Sequence, residues 1–359
     1  MAITADDYAR AEYPPWTCLS QFYAVSAHQI HSLIITLIST VSGRSEKYTE
    51  VKNEVDTVPV RQYPRHKIRY STMNSSAHNA YVLSFQCPDR LGVVAVSTGL
   101  FYELGAFVTE VSNYSDPVTD TFHMRCVFDD RQMTASIEEF RAQFQNVADD
   151  FNMTYHLRSS VNLPRVMIAV SKYDHCLSVL LNKWKSGALP AEIVGVVSNH
   201  PDCQSMSEWY GLPYYHLPIT KDTKPEQEAQ ILATMQHLDA DLLVLARYMQ
   251  ILSDDLCSKL EGRAINIHHS FLPGFKGARP YHQAYERGVK VIGATAHYVT
   301  ADLDEGPIIV QEVRPIDHEV TVEQMVHLGH DIEATALSQA VRLHCDERIQ
   351  LNGQRTVIL

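Results

Sequence analysis

Asn266-Ile267-His268-His269-Ser270-Phe271-Leu272-Pro273 decides how the chain is read. Ala264-Ile265-Asn266-Ile267 reads as a short buried strand. Pro273, Gly274 and Gly277 then open a loop, because proline cannot continue a ladder and glycine takes unusual dihedrals. Period-two geometry turns Asn266 and His268 the same way, at a strand end, where α/β sheets bind ligands. A second strand-like run, Val291 to Val299, carries His297 and leads into Thr300-Ala301-Asp302-Leu303-Asp304-Glu305-Gly306-Pro307. That loop can return one carboxylate to the imidazole. Amide, imidazole and carboxylate together suit attack of water or an amine on a carbonyl. By spacing alone, Asn-x-His is more often a capped turn or a satisfied core histidine.

The chain of 359 residues is long enough for two domains. A net charge of −12 argues against a nucleic-acid partner, since phosphate binding wants a basic face. Seven cysteines with no Cys-x-x-Cys pair suggest reduced thiols and a cytoplasmic home. No apolar run approaches the ~20 residues that span a bilayer, so no membrane role is expected.

Strands alternating with helices over 165–359 argue for a doubly wound, mostly parallel α/β sheet. The strands are Arg165–Val170, Ile193–Ser198 and Leu242–Leu245, the helices Leu177–Trp184, Glu226–Leu238 and an amphipathic Val322–His344. The tail, Arg355 to Leu359, reads as an added edge strand, and His327 and His330 as a packed or solvated pair. Residues 161–164 form a linker. From 79 to 160 the order is βαββαβ, the split arrangement of ferredoxin-like domains: strands at Ala80–Phe85, Ala106–Ser115, Thr121–Phe128 and Met153–Leu157, helices at Val93–Leu104 and Ile137–Phe151. Gly105 reads as a left-handed stop. Residues 1–78 read as a weakly ordered extension, or as sequence translated upstream of a start at Met73.

Two resemblances follow. Cys87-Pro88-Asp89-Arg90-Leu91-Gly92-Val93-Val94, with Gly105-Ala106-Phe107-Val108 after the helix, resembles the ACT regulatory domain. It implies a homo-oligomer and a small amino-acid effector such as glycine or methionine near Asp89, Leu91, Gly92 and Val93; a purely structural pairing module is the other reading. Farther on stand four phrases in order: Asn266 to Pro273, Gly277 to Ala284, Gly293 to Val299, and Leu303 to Ile309. They resemble the formyltransferase-fold family that uses 10-formyltetrahydrofolate, and within it the deformylases, from about Asn79 to Leu359.

The resemblance implies hydrolysis of 10-formyltetrahydrofolate to formate and tetrahydrofolate, balancing one-carbon pools and supplying formate for purine biosynthesis. Asn266 would donate to the developing oxyanion. His268 would donate to it and protonate the leaving nitrogen. Asp304, rather than Asp302, matches the family's aspartate, and His297 matches a position that supports the loop and Asp304. Met249, Gln250, Ile251 and Leu252 fall on the folate-binding loop. No cofactor and no metal are implied, and zinc spacing such as His-Glu-x-x-His is absent. Transfer of the formyl group to an amine is the alternative. Against it, Ser171-Lys172-Tyr173-Asp174-His175-Cys176 lacks the glycine that lets backbone amides approach a phosphate, and resembles the deformylase loop. A folate-binding amino-acid sensor without catalysis is a third reading.

Overall fold

Val166 to Val170 and Leu242 to Leu245 are continuous aliphatic runs, as strands covered on both faces must be. The computed structural model describes residues 78–272 and 280–359. The expected N-terminal extension, His78 apart, and the glycine loop at 273–279 lie outside the described residues.

Two sheets organise the rest. The first holds β1 (Ala80–Pro88), β2 (Phe107–Asp116), β3 (Thr121–Asp129) and β4 (Thr154–Ser159) in the order β2-β3-β1-β4. With α1 (Val93–Glu103) and α2 (Ile137–Phe151) between strands, this is the ferredoxin-like order. Ser136 and Glu139 start α2 with a reciprocal capping box. Five wholly buried phenylalanines (Phe85, Phe101, Phe128, Phe140, Phe144) dominate this core, each worth about 1.5–3 kcal/mol on burial. Gly105, at φ +69°, stops α1 as expected, and a Cβ there would lie 2.3 Å from the Gln132 carbonyl oxygen.

The second sheet runs β11-β10-β9-β8-β5-β6-β7. Its parallel part is β5 (Arg165–Val170), β6 (Glu192–Ser198), β7 (Tyr214–His216), β8 (Leu242–Leu245) and β9 (Ala264–His268). Two antiparallel strands, β10 (Val291–Tyr298) and β11 (Ile308–Pro315), extend it beyond β9. Chain order reverses at β5, which sits between β6 and β8, so a ligand crevice is expected beyond the carboxyl ends there. One face of the sheet packs on α3 (His175–Lys185) and the long α8 (Val322–Cys345). The other packs on α5 (Lys224–His237) and α6 (Asp254–Lys259). The remaining helices, α4 (Gln204–Trp209) and α7 (Pro280–Glu286), are short.

The tail departs from expectation. It forms no edge of the large sheet; β12 (Ile349–Asn352) and β13 (Arg355–Ile358) pair as a separate hairpin. Gly353, at φ +62°, leads the two-residue turn, which suits a hairpin. The hairpin joins the first sheet: Gln350 bonds His123 Nδ1 at 2.8 Å and donates to the Met124 carbonyl at 3.0 Å. No helix among the described residues is long and apolar enough to cross a membrane.

Candidate active site

Alternation along β9 sorts its side chains. Ile265 and Ile267 join the core shared with α8, and Ala264 joins the core on the opposite face. Asn266 and His268 share the parity of Ala264. His297 is the cross-strand partner of Asn266, and Thr295 that of His268. His268 is buried, with Nδ1 3.1 Å from Asp304 Oδ2 and Nε2 2.8 Å from Ser270 Oγ. Asn266 Nδ2 lies 3.3 Å from His297 Nε2. The structure thus brings Asn266, His268, His297 and Asp304 together.

His297 lies between Asn266 and the Asp304 loop. Its Nδ1–H donates to the Tyr298 carbonyl at 2.8 Å. Burial pulls its pKa below the usual value, against that hydrogen bond and Asp304. A neutral ring with its proton on Nδ1 leaves Nε2 as an acceptor. Asn266 therefore donates to it, and one amide hydrogen remains for another acceptor. Asp304 Oδ1, at 3.8 Å, is beyond hydrogen-bond reach of His297. The side chain that His297 orients is Asn266.

Asp304 reaches the site because its loop folds tightly. Its φ is +58°, a left-handed conformation that aspartate tolerates better than most residues. Two residues on, a Cβ at Gly306 would lie 1.8 Å from the Tyr298 carbonyl oxygen and 3.2 Å from His297 Nδ1. Only glycine lets the loop lie so close. Burial would push the Asp304 carboxyl up; the hydrogen bond and electrostatic attraction of His268 chiefly outweigh it and hold the pKa below its usual value.

Gln250, Ile251 and Leu252 line a small cleft, about 50 Å³, together with Asn266, His297 and Asp304. Met249 stays outside that lining, and its side chain is half exposed. Its backbone N–H donates to Ser171 Oγ at 3.0 Å, and Ser171 in turn donates to Asn199 at 2.7 Å. The loops after β5 and β8 are thus tied together by side chains. A larger cleft, about 690 Å³, opens between β2 and β13. Its facing charges, Asp116 and Arg355, satisfy each other at 2.8 Å, and none of Asn266, His268 or Asp304 lines it. Asn266 and Asp304 line the small cleft, and His268 lines neither cleft.

The turn after β1 is laid out less simply than expected. Asp89 accepts a hydrogen bond from Ser115 Oγ, and Leu91 is fully exposed. Gly92, at φ +97°, precedes α1, and a Cβ there would meet open space. The Val93 side chain is in the domain core, so only its backbone faces the turn.

Several polar residues of this region escaped the reading of the sequence. Ser270 faces His268, and Thr295 accepts from Leu272 N at 3.1 Å while donating to the Ser270 carbonyl at 3.0 Å. Arg247, His269 and His175, partly buried, and Tyr281 and Glu333, buried, form a second polar group beside the first. Among the described residues, His175, Cys176 and Glu333 offer ligand atoms within 4.8 Å of one another. Glu333 is already engaged by His175, Arg247 and Tyr281, and burial holds the Cys176 thiol well above its usual pKa.

Residues 164–341 match the formyl transferase family. The formyltetrahydrofolate deformylase of Corynebacterium sp. (strain P-1) is 49% identical over 279 residues, covering 78% of this chain and 98% of that protein. The solved deformylase of Burkholderia mallei is 47% identical with a TM-score of 0.75, covering 78% of this chain and 99% of that one. A glycinamide ribonucleotide transformylase from Symbiobacterium toebii, 30% identical, covers 55% of this chain and 94% of its own, with a TM-score of 0.52. The likeness to the deformylases takes in both sheets, whereas the likeness to the transformylase takes in little more than half of the chain. The chain belongs to the formyltetrahydrofolate deformylase family.

Proposed function

We propose that this protein hydrolyses 10-formyltetrahydrofolate to formate and tetrahydrofolate, and that Asn266, His268 and Asp304 carry the reaction. The observation that carries the reading is the 3.1 Å contact of His268 with Asp304 beside Asn266, in a chain of this family. Asp304, low in pKa, takes a proton from water as the oxygen attacks the formyl carbon. The second amide hydrogen of Asn266 donates to the oxyanion, a contact worth about 3–4 kcal/mol of barrier. His268, with Nδ1 committed to Asp304, passes the Nε2 proton to the leaving nitrogen as the C–N bond breaks. The formic acid returns its hydroxyl proton to His268 Nε2 and leaves as formate, and Asp304 releases its proton to solvent. Folate lies along Met249 to Leu252, with Met249 giving backbone only. No metal or other cofactor takes part.

Formate release from 10-formyltetrahydrofolate with no amine present is the test. Release of tetrahydrofolate only when an amine is added would make the protein a formyltransferase instead.

The N-terminal sheet we assign to regulation within a homo-oligomer, with a small amino acid such as glycine or methionine near Asp89, Leu91 and Gly92. Its support is the open, left-handed Gly92 turn. Glycine and methionine titrated against the initial rate of the full chain should change the rate, and Gly92→Val should lose that response before catalysis. No response to either would leave this sheet an assembly module.

A further inference from the structure

Glu333 is wholly buried in the middle of α8, where an aliphatic residue would pack without loss of hydration. Its carboxylate meets polar groups from three separate segments. His175 Nε2 lies 2.7 Å from Oε2, the Tyr281 hydroxyl donates to Oε1 at 2.7 Å, and Arg247 Nε forms an ion pair with Oε2 at 3.4 Å without a hydrogen bond. Gly329, one turn earlier on α8, makes room for this: a Cβ there would lie 2.1 Å from the Tyr281 hydroxyl. These contacts, with the charge of Arg247, outweigh burial and hold the Glu333 carboxyl below its usual pKa.

Arg247 passes the arrangement on. It is held in a left-handed conformation, φ +62°, directly after β8. Its Nη1 lies 2.9 Å from His269 Nδ1. A guanidinium only donates, so His269 Nδ1 accepts, and the ring is neutral with its proton on Nε2. The His269 ring stacks on that of His268 at 4.8 Å and 21°. A neutral ring there adds no positive charge beside the His268–Asp304 pair and fixes the plane of its neighbour.

We propose that Glu333 is a positioning residue for the hydrolysis: through Arg247 it fixes the tautomer and plane of His269, and so holds the His268 ring against Asp304. The inference rests on the function proposed above, and its test therefore includes a readout that needs no turnover.

Glu333→Gln keeps shape and removes charge. It should lower kcat about 10–100-fold, in line with a small misplacement of a reacting group, and move KM less than threefold, because the Ser171–Met249 tie is untouched. In ¹⁵N spectra the wild-type His269 should be neutral with the proton on Nε2, and the variant should show a mixture of forms. Glu333→Gln combined with Arg247→Met removes the unpaired cation as well, so it should regain melting temperature but not kcat. The idea is overturned if Glu333→Gln keeps kcat within twofold of wild type, or if the double variant regains rate together with stability. It is overturned too, whatever the turnover, if the His269 spectrum is the same in wild type and variant. A wild type that shows the expected tautomer yet releases no formate refutes the proposed reaction and leaves the orientation of His269 standing.

Discussion

Replacing Gly306 with alanine tests the architecture of the site without touching a group assigned to the chemistry. Gly306 has no left-handed backbone to protect; its constraint is contact. The new Cβ would sit 1.8 Å from the Tyr298 carbonyl oxygen and 2.9 Å from its carbon, and real Cβ contacts essentially never fall under 3.0 Å. The obstacle is backbone, fixed by β10, and it already accepts from His297 Nδ1 at 2.8 Å. The 302–307 loop must therefore retreat by more than an ångström, although Tyr298 N still bonds the Pro307 carbonyl at 2.9 Å. Asp304 rides on that loop, so its 3.1 Å contact with His268 opens beyond hydrogen-bond length. A misplacement of this size costs about 100-fold in rate, and the strain costs about 1–3 kcal/mol of stability. The assay is formate release under saturating folate, with far-ultraviolet circular dichroism and a thermal melt to establish folding. Gly99→Ala, where a Cβ meets open space on α1, is the control and should keep full activity. A Gly306→Ala protein with kcat within threefold of wild type would refute the reasoning, because the loop would then have found room that the geometry denies it.

Three further outcomes are expected. His268→Ala and Asp304→Ala should each lose about 10²–10⁴-fold in kcat with little change in fold or folate binding; near wild-type turnover in either would remove it from the mechanism. Activity should survive exhaustive chelation, and loss restored by one added divalent metal would contradict the metal-free scheme. Burial holds His344 down to about 4, against the pull of Glu347 and Asp241. A histidine depressed in the fold binds fewer protons there than when unfolded, so this contribution is full above the unfolded value of about 6.5. It is lost as pH falls from there towards 4, so the melting temperature should drop across that window. His344→Gln, which can still accept from Tyr298, should flatten the drop; an unchanged profile would show that His344 does not govern it.

What the sequence reveals depends on how local the cause is. Arg165–Val170, Leu242–Leu245 and Ile137–Phe151 fall where their apolar patterns put them, because burial on both faces or on one helical stripe is written in neighbouring residues. Helix α6 has six residues and one capping serine, Ser253, too little periodicity to stand out, and β7 has three residues. Strand β11 follows Pro307 directly, and its short Ile308–Val310 apolar run adjoins the loop motif with no turn signal between them. The hairpin carries a local signal: Asn352-Gly353 marks a turn, which the structure places at Gly353-Gln354 after the last residue of β12. At the site, Asn266 and His268 share a strand, so their common direction follows from period two. Asp304 needs both the left-handed backbone at its own position and the bare Cα of Gly306, neither of which spacing reveals. His327 and His330 read as a packed or solvated pair; their rings lie 6.5 Å apart edge to face, and His330 also stacks on the distant His175 at 4.0 Å, a contact no spacing reveals.

The doubled histidine shows why the remainder could not be read. Along β9 successive side chains alternate between two faces, one covered by α5 and α6, the other by α3 and α8. Inside the strand nothing on one face can touch the other, since the backbone ladder lies between them. At the end of the strand that barrier stops. His268, the last residue of β9, has the parity of Asn266, and His269 that of Ile267, yet beyond the ladder their rings meet at 4.8 Å. A polar group buried under α8 can reach the reacting side only at such a position, and Arg247, just past the end of the neighbouring β8, stands beside it. Glu333 lies 65 residues after His268, and nothing in its helical surroundings marks a polar partner. Its placement becomes intelligible only when the sheet order sets β8 next to β9 and the α8 core beneath both. The contacts that join the two faces are therefore products of topology: a strand end supplies the gap, and side chains from three distant segments fill it.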